Sequence, residues 1–75
     1  MKSLVQLEKG KTGIVIELKG GHNFIYKMDA LGIRPGVKIK KTSEINVSGP
    51  VIVEIGNTKM AIGKKMAQKI IIKEL

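Results

Sequence analysis

Cysteine is absent from these 75 residues, so neither a disulfide nor a thiolate metal site can staple the fold. Tryptophan is absent too, and Phe24 and Tyr26 are the only aromatics. The core must therefore come from Ile, Val and Leu. There is a single histidine, His22, and no cysteine, so no nucleophile–base pair stands out. The acids are few: Glu8, Glu17, Asp29, Glu44, Glu54 and Glu74. No two stand at the i, i+3 or i, i+4 spacing that would bring carboxylates together on a helix, and a metal site needs several converging ligands. His22 with Glu17 or Asp29 is an unspecific combination. These absences argue against catalysis and against a built metal centre. No apolar run approaches the ~20 residues of a membrane span, and "MKSLVQLEKGK" lacks the apolar core of a signal peptide. The expectation is one soluble, cytoplasmic domain over residues 1–75, with no membrane insertion. A chain this short buries only about 60% of its unfolded surface, so its core is thin.

What the chain does have is positive charge. Fourteen Lys and Arg against six acids give +8. The excess has two readings. One is an acidic partner, such as nucleic acid, anionic headgroups or an acidic protein surface. The other is solubility, with lysines on strand faces that discourage edge pairing.

"KTGIVIEL", residues 11–18, alternates and is β-branched, which predicts a strand with Ile14, Ile16 and Leu18 on one face and Val15 and Glu17 on the other. Gly20-Gly21 ends it. In "NFIYKMDAL", residues 23–31, the period changes: Phe24, Met28 and Leu31 fall at i, i+4 and i+7, which predicts a helix. Asn23 is the expected N-cap. Gly32 is the expected C′ residue, with Ile33 folding back onto the helix. Pro35-Gly36 suits a type II turn across Arg34–Val37. "VKIKK", residues 37–41, alternates again, with Val37 and Ile39 inward and Lys38 and Lys40 outward. A polar loop carries Ile45 and Val47, apolar residues that are hard to bury there and so are candidates for an exposed partner contact. "VIVEI" and "TKMAI" are strands joined by Gly56-Asn57, a two-residue hairpin signal. A helical turn over 63–69 and a last strand over 70–75 complete the chain. The pattern predicts a mainly β fold: a small barrel of about five strands, one short helix after the first strand and a helical turn before the last.

"GKTGIV", residues 10–15, has the Gly-x-x-Gly-x-Val spacing found in some RNA-binding barrels. With the positive charge it supports an alternative reading as a basic RNA- or DNA-binding module. Against this, single-strand binders stack bases on aromatics, and only Tyr26 is spare. "GGHNF" precedes a helix N-terminus but lacks the Lys-Ser/Thr pair of a P-loop.

The order of these pieces resembles the FeoA family, small SH3-like proteins of ferrous iron uptake. Leu4, Leu7 and Gly10 match its opening "L-x-x-L-x-x-G". "MDALGIRPGVKI" matches "L-x-x-LGI-x-PG-x-x-I". Gly49-Pro50 with "VIVEIGNTKMAIG", and then "MAQKIII", match the closing region. Met28 and Ile62 depart mildly from the family's Leu. The resemblance implies an SH3-like barrel and a non-enzymatic accessory or regulatory role in iron homeostasis, by protein contact with the cytosolic part of the membrane transporter FeoB. It also implies the transition-metal binding attached to the family. No ligand set for Fe2+ or another divalent ion is identifiable, so no cofactor is assigned. The candidate partner-binding residues are Tyr26, Arg34, Lys38, Lys40, Ile45 and Val47. Gly32, Pro35, Gly36, Gly56 and Asn57 are assigned to turns and caps. An open edge strand leaves self-association open.

Overall fold

The computed structural model describes residues 1–44 and 49–75. The elements are β1 (Lys2–Ser3), a 3₁₀ turn (Leu4–Gln6), β2 (Thr12–Leu18), α1 (His22–Ala30), β3 (Lys38–Glu44), β4 (Val51–Ile55), β5 (Thr58–Ile62), α2 (Lys64–Ala67) and β6 (Ile70–Glu74). The strands form one antiparallel sheet in the order β1-β6-β2-β3-β4-β5, the small SH3-like fold expected. It has six strands rather than about five. The extra one, β1, is two residues long, too short to show a period.

The core is aliphatic. Leu4, Leu7, Val15, Met28, Ile33, Ile39, Val51, Val53, Ile62, Ile70 and Ile72 are all essentially buried. Phe24, Ile55, Met60 and Met66 pack against them from the rim. Leu4 and Leu7 stand three residues apart, the spacing that aligns side chains in a 3₁₀ turn. The Ser3 backbone N–H donates to Gln6 Oε1 at 2.9 Å and fixes that turn.

Two bulges correct the simple alternation. In β2 the pairing with β6 runs Val15↔Ile72 and then Glu17↔Ile71, so Ile16 is the extra residue. One unpaired residue reverses the faces beyond it. Val15 and Leu18 therefore both point inward, while Ile16 is 37% exposed, against the expectation that Ile14, Ile16 and Leu18 share a face. In β3 the shift lies between Lys41 and Ser43, at Thr42, whose hydroxyl donates to the Ile52 carbonyl oxygen.

The helix begins two residues earlier than expected from an Asn23 N-cap. Gly21, in extended conformation, is its N-cap, and Asn23 lies inside the first turn. Gly20 is needed here for space: a Cβ would come within 2.5 Å of Phe24 Cδ2 and 2.9 Å of Phe24 Cβ. The ring root cannot swing away without moving α1. Gly20→Ala is expected to lower stability by about 1–3 kcal/mol, as overpacking does. A urea titration checks this; an unchanged midpoint would mean the ring moves freely.

The chain ends are tied by an ion pair. Lys2 Nζ lies 2.8 Å from Glu74 Oε1 across β1 and β6. The hydrogen bond from Lys2, and then its charge, hold the Glu74 carboxyl below its ordinary 4.5. The same pair raises Lys2 above 10.5. A depressed acid stabilises the fold above its ordinary pKa and loses that contribution as pH falls through the lowered value; a raised base loses it as pH rises through the raised value. Lys2→Met should thus lower Tm at neutral pH. The gap to the parent protein should narrow as pH falls below 4.5 and as it rises past 10.5. Both groups are partly exposed, so the gap should also shrink in high salt. A constant gap across pH would refute the ion pair as its source.

Candidate interaction surface

"MDALGIRPGVKIKK" forms a tightly bonded joint. Ile33 N–H donates to the Met28 carbonyl at 2.8 Å and Gly32 N–H to the Asp29 carbonyl at 2.9 Å. That pair of bonds is a Schellman motif, and Gly32 holds the left-handed φ of +85° it requires. Ile33 and Met28 are both fully buried, so the apolar contact that accompanies the motif sits in the core. Next, Val37 N–H donates to the Arg34 carbonyl at 3.2 Å across Pro35-Gly36. Gly36 has φ +95°, as the third position of a type II turn demands. At the β4–β5 hairpin Gly56 has φ +59° and Asn57 does not have positive φ, the pattern of a type II′ turn.

The candidate partner-binding residues fall in different places. Tyr26 is 79% exposed on α1, beside Ile25 at 42%. With His22, Asn23 and Asp29 they line a shallow, open depression along the helix. Arg34 is engaged locally: its Nε donates to Asp29 Oδ1 at 2.7 Å, which fastens the turn to the end of α1. Lys38 and Lys40 lie on the outer face of the sheet, as expected, and are exposed. Lys38 and Lys73 flank Ile14 in one cross-strand row. Ile45 and Val47 lie outside the described residues.

The cations are spread over several elements. Lys38 and Lys40 are on β3, Lys64 and Lys65 on α2, and Lys69 beyond it with its ammonium 5.4 Å from the centre of the Phe24 ring. "GKTGIV" also has a structural explanation. Gly10, at φ +88°, donates its N–H to the Lys41 carbonyl, Gly13 faces Ile72 where a Cβ would meet atoms at 3.0 Å, and Val15 is in the core.

Lys41 is the residue that sequence reasoning missed. It is 1% exposed, yet its ammonium is satisfied: Nζ donates to the Val5 carbonyl at 2.8 Å and lies 3.1 Å from Glu44 Oε1. The one available signal was its parity with Val37 and Ile39, which places it on the inward face.

Among the described residues no three His, Asp or Glu side chains gather where they could hold a metal ion. The remaining segment, Ile45-Asn46-Val47-Ser48, contains none of these residue types. Among the described residues the side chains offer no three-ligand set for a transition metal. No helix among the described residues is long and apolar enough to cross a membrane.

The FeoA domain model matches residues 2–74. The chain belongs to the FeoA family. A crystal structure of an iron uptake regulatory protein, FeoA, is 32% identical with a TM-score of 0.89, covering 99% of this chain and 96% of that one. The solution structure of iron(II) transport protein A from Clostridium thermocellum is 22% identical with a TM-score of 0.90, covering 97% of this chain and 45% of that chain. A manganese-dependent transcriptional repressor is 20% identical with a TM-score of 0.88, covering 99% of this chain and 41% of that chain. At these lower identities the likeness is one of fold. Comparison with curated protein sequences gives no match. FeoA domains are small accessory domains rather than members of a known enzyme family, in keeping with the scattered acids and single histidine.

Proposed function

We propose that this protein is a non-enzymatic accessory protein of ferrous iron uptake, acting in the cytoplasm by contact with the cytosolic part of the membrane transporter FeoB. The observation that carries this reading is the match to an iron uptake regulatory FeoA at 32% identity over nearly the full length of both chains. The absence of a converging ligand set among the described residues favours action by surface contact rather than by metal carriage. Fold alone would not assign a role.

Tyr26 is the strongest candidate anchor, a large exposed aromatic next to exposed Ile25 on a helix held rigidly by its Schellman end. Lys38 and Lys40 are candidates for a charged rim, with Ile45 and Val47 as further apolar contacts. Arg34 is a positioning residue in this reading, because its guanidinium is committed to Asp29. The test is a titration of the protein against the transporter's cytosolic domain, with and without nucleotide. Binding is expected in at least one state and should weaken about tenfold or more in Tyr26→Ala, as for an aromatic hot spot. No binding in either state would overturn the proposal.

A further inference from the structure

The strand order leaves β5 at one end of the sheet. Its register with β4 is Ile55↔Thr58, Glu54↔Lys59, Val53↔Met60, Ile52↔Ala61 and Val51↔Ile62. A two-residue turn makes its flanking residues, Ile55 and Thr58, a hydrogen-bonded pair, and antiparallel pairs alternate from there. Thr58, Met60 and Ile62 therefore bond to β4, while Lys59 and Ala61 direct their N–H and C=O groups away from it. No described backbone group bonds to Lys59 or Ala61 from the other side, and both residues are exposed. Among the described residues the sheet thus ends in a row of backbone donors and acceptors without protein partners, a template for one more strand.

The side chains across the sheet say what kind of strand fits. The outward row over β3, β4 and β5 reads Lys40, Glu54, Lys59. Directly opposed side chains on neighbouring strands lie about 4.5–5.5 Å apart, where opposite charges stabilise and like charges repel. The alternation ends on a cation, so an acid is favoured opposite Lys59. The next outward row, Ile52 and Ala61, is apolar and small at the edge. Between these rows, on the other face, Met60 is only half-buried against the core and would take an apolar neighbour. A second copy of this chain is a poor occupant, since each copy carries +8.

We propose that the free edge of β5 binds an extended acidic peptide segment of a partner protein, which adds to the sheet through the backbone of Lys59 and Ala61 with a carboxylate opposite Lys59. The proposal does not depend on the identity of the transporter, and its failure would leave that reading standing.

The probe is a seven-residue peptide of alternating Val and Glu, with a Val–Lys peptide of the same length as control, read by amide hydrogen exchange on the whole chain. In the free protein the Lys59 and Ala61 amides should exchange roughly tenfold or more faster than Met60, as exposed edge groups do. The Val–Glu peptide should slow both; the Val–Lys peptide should not. Ala61→Pro removes the outward N–H while sparing the ladder, as proline does on an edge strand, and should abolish the effect. Lys59→Glu should weaken Val–Glu binding about tenfold and favour the Val–Lys peptide. Four results would each overturn the proposal: Lys59 and Ala61 as protected as Met60 in the free chain, equal binding of both peptides, no protection by Val–Glu at millimolar concentration, or protection that grows with protein concentration alone. The last would assign the edge to a second copy.

Discussion

Lys41→Ala should lower unfolding stability by about 3–5 kcal/mol, from the loss of a buried donor and of its buried stem. Two losses add. The Val5 carbonyl, whose 2.8 Å donor is the Lys41 ammonium, is left without a partner; an orphaned group of this kind costs about 1–3 kcal/mol. Loss of the three methylenes beyond Cβ also leaves a gap beneath the 3₁₀ turn, at about 0.8 kcal/mol per buried methylene. A domain of this size has roughly 4–11 kcal/mol in all, so the loss is a large fraction of its stability and should lower Tm markedly. Lys41→Met separates the two losses. It keeps most of the stem and removes the donor, so its cost should be about 1–3 kcal/mol. Glu44→Gln should cost least, because Glu44 is 38% exposed and the Val5 bond survives. Urea denaturation of the three variants gives the order directly. Lys41→Met as stable as the parent protein would show that the ammonium contributes nothing net.

Ile33→Ala should cost about 2–5 kcal/mol, as large-to-small changes in a core do. Ile33 and Met28 are both fully buried, and the Ile33 N–H closes the wider loop of the Schellman motif on the Met28 carbonyl. Removing the side chain makes a cavity where α1 is anchored to the sheet. A helix of nine residues is marginal alone and depends on such anchorage. The loss should therefore be uneven. Amides of α1 should lose exchange protection before those of β2, β3 and β6, and Tyr26 should lose its fixed presentation. Denaturation reports the total, and residue-resolved exchange reports the distribution. A uniform loss across the sheet and helix would show that α1 is not separately anchored.

The joint between α1 and β3 was legible in the sequence because its capping and turn bonds are local. The N–H groups of Gly32, Ile33 and Val37 donate to carbonyls at most five positions back, and only Gly36 N–H reaches across the fold, to the Val15 carbonyl; Gly32, Ile33, Pro35 and Gly36 each have a stereochemical reason to stand where they do. The family resemblance was legible for the same cause, since it rests on the order of such local signals. The mainly β class followed from alternation, and the lack of Cys and of a second His removed whole classes of chemistry before any fold was considered.

Tertiary structure decided the rest. The two residues of β1 have no period and become a strand only because Ile71 and Ile72 lie opposite them. Ile16 turned outward because β6 pairs around it. Lys41 is buried because a carbonyl 36 residues earlier in the chain receives its ammonium; its parity with Val37 and Ile39 marks the face, but that distant partner is not written in the neighbouring residues. The unpaired edge of β5 depends on strand order, which composition and period do not encode. Local stereochemistry is written in neighbouring residues, whereas burial, register and open edges arise only when distant segments meet, because each depends on what a residue faces across the fold.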